Sequence, residues 1–296
     1  MKKLRCLAGT HDHEMIPAAV VAALGATFSA VHGQAETMAR AAVKMAALKN
    51  EPFYRLPFCG MVEAEAFGAE IQIPEAESGP KALGYPCKKI EDLLGPPPLD
   101  LTKGRIAEAL RAVELLHEEQ GSSPADTAGL IVLNVEGPFT VLSFLIDSGA
   151  LLKALMTGRA VLEKVLPLIE DGLIRYIEAG VRCGADIISY ADPAVALEIV
   201  GPKLYREIAG LSSFRLLKRV EHLPVLIHLC GRKSLALEEV GLCRAEEIAL
   251  PVTGVKNYGE ALRFFAASKE PLIIGHNCLK NAGMPVRQAM RIELEV

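Results

Sequence analysis

Short apolar runs alternating with amphipathic stretches predict an α/β protein, and within that class a (β/α)8 TIM barrel. Three observations carry the expectation. From residue 104 onward, strands apolar enough to be buried on both faces alternate with helices, the pattern of a parallel sheet. The recognisable strands end in polar or small residues, as at Asn134-Val135-Glu136-Gly137, Ser189-Tyr190-Ala191-Asp192, His228-Leu229-Cys230-Gly231 and His276-Asn277-Cys278. A barrel keeps its chemistry at such strand ends. No G-x-G-x-x-G follows a first strand, which counts against a dinucleotide-binding open sheet. The 296 residues suit one domain spanning residues 1–296, whose uneven first hundred residues form an extension across the barrel mouth.

Taken in order, residues 34–49 space their Ala and Met residues as an amphipathic helix, and residues 53–58 read as a short strand. Residues 63–67 continue helically. The stretch 75–98, rich in Pro, Gly and charge, reads as a connector. Residues 105–119 carry Ile106, Ala109, Leu110, Val113 and Leu116 at helical spacing, and 130–135 is a buried strand. Residues 151–180 read as one long helical stretch interrupted near Pro167. Then come a strand at 186–190, a helix at 202–220, a strand at 224–228 and a helix at 234–240. A strand at 247–250, a helix at 258–267 and a strand at 271–275 follow. Residues 285–290 are the one candidate for a last helix.

Composition narrows the function. Hydrophobic residues make up 51 % of the chain, so a large core is available and wholesale disorder is ruled out. Thirty-two basic against 36 acidic residues leave a net charge of −4, without the basic footprint of a nucleic-acid or anionic-membrane binder. The most apolar region, 130–155, is broken by Asn134, Glu136 and Asp147 and is not a membrane span. The basic start Met1–Leu7 lacks a long apolar sequel, so the expected location is cytoplasmic. Seven scattered cysteines, an odd number, suggest reduced thiols rather than a disulfide framework.

The chemistry concentrates at His228 and Cys230. Residues i and i+2 of a strand share a side, so imidazole and thiol can converge, and Cys278 follows another strand end. One nitrogen and two sulfurs suit tetrahedral zinc with a fourth position open. The competing reading is ordinary core packing, since buried Cys is common. Glu136 is a ligand or base, or a turn residue. Asp192 holds a substrate amine or a protein partner, or forms a plain Asp-Pro turn. His11-Asp12-His13-Glu14 reads first as solvated surface and second as a metal or substrate cluster. His276 and Asn277 flank Cys278 and are placed to orient it. Tyr190 and Tyr258 read as packing residues.

These residues resemble the uroporphyrinogen decarboxylase superfamily, and within it the zinc-dependent methylcobamide:thiol methyltransferases. The resemblance rests on His32-Gly33-Gln34-Ala35-Glu36-Thr37-Met38-Ala39, Glu63-Ala64-Glu65-Ala66-Phe67-Gly68-Ala69, Asn134-Val135-Glu136-Gly137-Pro138-Phe139-Thr140, Asp192-Pro193, Gly201-Pro202 with Tyr205, and His228-Leu229-Cys230-Gly231 with Cys278. It implies a barrel fold and zinc held by His228, Cys230 and Cys278. It also implies a methyl group passed from a methylated corrinoid to a thiol such as coenzyme M or homocysteine. No Asp-x-His-x-x-Gly signature occurs, so a separate corrinoid carrier protein is the expected donor. The decarboxylase branch is the runner-up; it uses an arginine-rich N-terminal segment, whereas here only Arg5 precedes Arg40. A barrel that only docks a corrinoid protein is the third reading. Relatives often place a carboxylate on the strand after His-x-Cys as a fourth ligand. The corresponding run here is Ala249-Leu250-Pro251-Val252-Thr253, which leaves that position to water or Glu136.

Overall fold

A computed structural model describes residues 15–95, 98–121, 129–250 and 255–295. The chain opens with three helices, α1 (Ala18–Leu24), α2 (Phe28–Gly33) and α3 (Ala35–Lys49), followed by β1 (Phe53–Leu56) and α4 (Val62–Ala66). Two short strands, β2 (Ile71–Gln72) and β3 (Lys81–Ala82), form a separate hairpin within and beside the expected connector. Next come α5 (Gly104–Gln120), β4 (Leu130–Glu136), α6 (Pro138–Leu145), α7 (Ser148–Thr157), α8 (Arg159–Arg182) and β5 (Ile187–Ala191). The last part holds α9 (Leu197–Leu204), α10 (Gly210–Val220), β6 (Leu226–Leu229), α11 (Gly231–Glu239), β7 (Cys243–Ala249), α12 (Tyr258–Ala267), β8 (Leu272–Gly275) and β9 (Gln288–Leu294).

One seven-stranded sheet runs β1-β4-β5-β6-β8-β9-β7. Its first five strands are parallel, paired through Phe53↔Leu130, Val132↔Ile187, Ile187↔Leu226 and Ile227↔Ile273. The expected α/β class with parallel strands therefore holds. Alternation sorts the side chains. Leu56, Ile131, Leu133, Ile188, Tyr190, Ile227 and Leu229 enter the larger core under the helices. Phe53, Leu130, Val132, Ile187 and Leu226 face the other way and meet Tyr258, Ala261, Leu262 and Ala266 of α12. The face that a barrel turns inward is thus covered, at the strand starts, by one helix.

Four local expectations are corrected. Residues 285–290 do not form a helix. Ala289, Met290, Ile292 and Leu294 are buried in β9, which runs antiparallel between β8 and β7. β7 begins at Cys243, four residues before the expected strand, and its partner is β9 rather than a parallel neighbour. The break in the long helical stretch falls at Gly158, not Pro167. Pro167 is exposed inside α8, so water can take the backbone bond it leaves open. The expected helix at 202–220 starts earlier, as α9, with a kink at Gly201 and a π turn, Tyr205–Ala209, before α10. The six described cysteines are free thiols, and no helix among the described residues is long and apolar enough to cross a membrane.

Candidate active site

The inner-facing side chains that α12 leaves uncovered are those nearest the strand ends, and they line a cavity of about 620 Å³. Asn134 and Glu136 come from β4, Ser189 and Ala191 from β5, His228 from β6. Cys59, Asp192, Cys230 and Cys278 come from the loops beyond the strands. Period-two alternation explains the set: Glu136, Ala191 and Cys230 lie two residues past Asn134, Ser189 and His228.

His228 is 1 % exposed. Its Nε2 lies 3.0 Å from the Tyr258 hydroxyl, and its buried Nδ1 finds no partner beyond its own main chain. Burial pushes the imidazole down to about 4, against a hydrogen bond to its own main chain, so the ring is neutral at neutral pH. Cys230 is half-buried, and its N–H donates to the Tyr190 carbonyl at 2.9 Å before α11 begins. Cys278 is half-buried at the start of a 3₁₀ turn. The turn leading to it is fixed by His276, which adopts a left-handed φ of 64°. The His276 N–H donates to Ser234 Oγ at 2.7 Å, and its Nε2 lies 3.3 Å from Glu238. The three expected zinc donors therefore share one cavity. Among the described residues, however, no three His, Cys, Asp or Glu groups converge closely enough to hold a metal ion.

Glu136 lies over Gly60, where an added Cβ would stand 2.5 Å from its Oε1. Its N–H donates to Glu63 Oε1 at 2.9 Å. Asp192 is 4 % exposed and accepts from the Thr140 N–H (2.8 Å) and hydroxyl (2.9 Å). That geometry supplies the turn-anchoring role: Gly137-Pro138-Phe139-Thr140 clamps the ends of β4 and β5 together. Residues 11–14 lie outside the described residues.

Sequence reasoning passed over four groups. Lys233 is buried 3.7 Å from Asp192 Oδ2, 3.1 Å from Ser213 Oγ and 5.1 Å from the Tyr205 ring centre. Arg105 is buried against Glu65 and donates to Cys59 Sγ at 3.0 Å. Glu63 is 1 % exposed, and burial pushes its carboxyl up to about 7 against the Glu136 N–H and Arg105. Tyr258, which reads as a packing residue from sequence, meets the imidazole through its hydroxyl. No spacing rule marks a buried charge or a contact made between distant elements, so no signal for these was legible.

Residues 14–253 match the uroporphyrinogen decarboxylase (URO-D) family. The chain belongs to that family. His228 and Cys230 fall inside the matched segment, and Cys278 lies beyond it. The methylcobamide:CoM methyltransferase MtaA of Methanosarcina barkeri is 27% identical over 257 residues, covering 85% of this chain and 74% of MtaA. MtbA of Methanosarcina mazei, another methylcobamide:CoM methyltransferase, is 30% identical over 214 residues, 72% of this chain and 61% of MtbA. A solved methyltransferase from Methanosarcina mazei superposes with a TM-score of 0.66 at 28% identity, covering 78% of this chain and 66% of that one. The expectation of a methyltransferase agrees with these relatives.

Proposed function

We propose that this URO-D family chain transfers a methyl group from a methylated corrinoid, presented by a carrier protein at the cavity mouth, to a small thiol. One zinc ion, held by His228, Cys230 and Cys278, belongs to this reading. The observation that carries it is a cavity at the strand ends whose wall includes all three donors. One imidazole nitrogen and two thiols are the donor set that zinc takes, and the three groups would have to draw together to close on it, since they do not converge in the described structure. When bound, zinc supplies Lewis-acid activation, bringing a thiol to its nucleophilic thiolate form at neutral pH.

The chain's own residues supply the rest. Burial keeps His228 neutral, so a ring lone pair is available. In this reading Glu136, one of the carboxylates on the cavity wall, takes the thiol proton or completes the ligand set. Sulfur then forms a bond to the methyl carbon as the carbon–cobalt bond breaks, and its electron pair stays on cobalt. Asp192 holds the cavity rim in shape through Thr140. A polycarboxylate substrate is disfavoured because three of the four Lys and Arg side chains on the wall already face carboxylates, Arg55 and Glu51 at 2.5 Å, Arg232 and Glu198 at 3.3 Å, Lys233 and Asp192 at 3.7 Å, which leaves Lys280.

Protein purified without chelator should carry about one zinc per chain. Cys230→Ser and Cys278→Ser should each lose most of it. With a competent methylated carrier protein and a panel of thiols, the zinc-loaded protein should form a methyl thioether, and His228→Ala should abolish the reaction. Full zinc in both serine variants would overturn the ligand assignment. No thioether from the wild type, or steady release of coproporphyrinogen from uroporphyrinogen, would overturn the activity.

A further inference from the structure

Strand register fixes what lies on the floor of the cavity. Asn134 of β4 pairs with Ser189 of β5, which pairs with His228 of β6, so the three stand in one row. Two residues earlier on the same strands stand Val132, Ile187 and Leu226, the apolar row that α12 covers. Two residues later stand Glu136, Ala191 and Cys230. On these three strands the row at Asn134 is therefore the first polar level above the buried bottom of the sheet.

Two of its three polar groups are open to a ligand. His228 is engaged by the Tyr258 hydroxyl at 3.0 Å. Asn134 Nδ2 donates to the Pro57 carbonyl at 3.1 Å, which fixes the amide and identifies Oδ1 as the acceptor. Among the described residues, neither Asn134 Oδ1 nor the Ser189 hydroxyl has a hydrogen-bond partner, and both residues line the cavity. Ala191, one level above Ser189, adds little bulk over that hydroxyl.

The charges around the row decide what it takes. Glu136 stands one level up on the strand of Asn134. Arg55, one level down on β1, faces Glu51 at 2.5 Å, and Lys233 faces Asp192 at 3.7 Å. Lys280 follows β8, which stands third from β4 in the sheet order. An anion on the row would thus meet the Glu136 carboxylate without a free cation beside it, whereas a hydrogen-bond donor would meet acceptors.

We infer that Asn134 and Ser189 seat the tail of the methyl acceptor, and that this tail ends in a hydrogen-bond donor, an amine or a hydroxyl, rather than in an anion. The inference rests on the thiol methyl-transfer reading above and adds the class of thiol. One level of the sheet is two residues, ~6.6 Å, so a short carbon chain and one hydrogen bond reach the row from a sulfur at the level of Cys230.

The test has a binding arm and a turnover arm. In ¹H–¹⁵N spectra of the protein as purified, the Asn134 side-chain amide signals are assigned by their loss in Asn134→Leu. They should move on titration with cysteamine or 2-mercaptoethanol and stay in place with 2-mercaptoethanesulfonate. The tighter of the first two tells ammonium from hydroxyl. With a methylated carrier protein, kcat/KM should be higher for these two thiols than for ethanethiol. Ser189→Ala, which breaks no hydrogen bond among the described residues, should lower that ratio ~2- to 10-fold, the worth of one hydrogen bond. Amide signals that neither donor-tailed thiol moves, a sulfonate preferred to both, or an unchanged ratio in Ser189→Ala overturns the inference. If no thiol is methylated, the methyl-transfer reading falls, while the amide signals still decide whether the row seats a donor.

Discussion

At Glu63 a single carboxyl sets a pH dependence of the whole chain. Its ordinary value of 4.5 is raised to about 7 in the fold, by burial before any other cause. A carboxyl whose folded value is raised binds its proton more tightly in the native state. The contribution of Glu63 to stability is therefore fully present below about 4.5 and is lost as pH rises through 7, where burying the charge costs about 3 kcal/mol. Glu63→Gln keeps the oxygen that receives the Glu136 N–H and removes the ionisation. Urea denaturation at pH 5 and pH 8 should show wild type losing up to ~3 kcal/mol relative to the variant across that interval. Parallel pH profiles for the two proteins would show that Glu63 does not ionise as described. The same residue links stability to the cavity, since its Oε1 holds the backbone of Glu136.

Among the elements, the turn from β4 into α6 makes a sharp demand on sequence. A Cβ at Gly137 would stand 2.4 Å from the Asp192 Cβ, an atom next to the main chain that cannot swing aside. Asp192 is itself pinned by Thr140. Gly137→Ala must push the ends of β4 and β5 apart, which costs about 1–3 kcal/mol by the usual measure of overpacking. The expected outcome is a lower melting temperature together with weaker activity, because both strands end in the cavity wall. An unchanged melting temperature would mean that the two ends are not clamped.

For the whole molecule, β9 joins the far edge of the sheet to the rest. Among the described residues β7 pairs with β9 along seven positions, from Cys243↔Leu294 to Ala249↔Gln288, and β9 continues the sheet onto β8. Ile292 of β9 is 3 % exposed in the larger core. Ile292→Asp would bury a carboxylate there, or force it to protonate, and should destabilise the protein by about 3 kcal/mol or more in urea. A loss under about 1 kcal/mol would show that this strand is peripheral to folding.

The α/β class and the strand ends that carry the cavity were legible in the sequence, because buried parallel strands write themselves as short apolar runs. His228 and Cys230 were legible for the same reason: period two puts them on one side. Residues 285–290 misled because six residues with a proline and a few apolar positions satisfy helical and extended spacing alike. Only packing against β8 and β7 selects the strand. Pro167 misled because a sequence does not say which side of a helix faces water. Tyr258, Glu63 and Lys233 were invisible as functional groups, since each gains its role from a neighbour on another element, 30 residues away in the case of His228 and Tyr258. Local periodicity is a property of consecutive residues and survives in the sequence. Which side chain meets the imidazole of His228 is decided only when a distant helix is laid across the sheet.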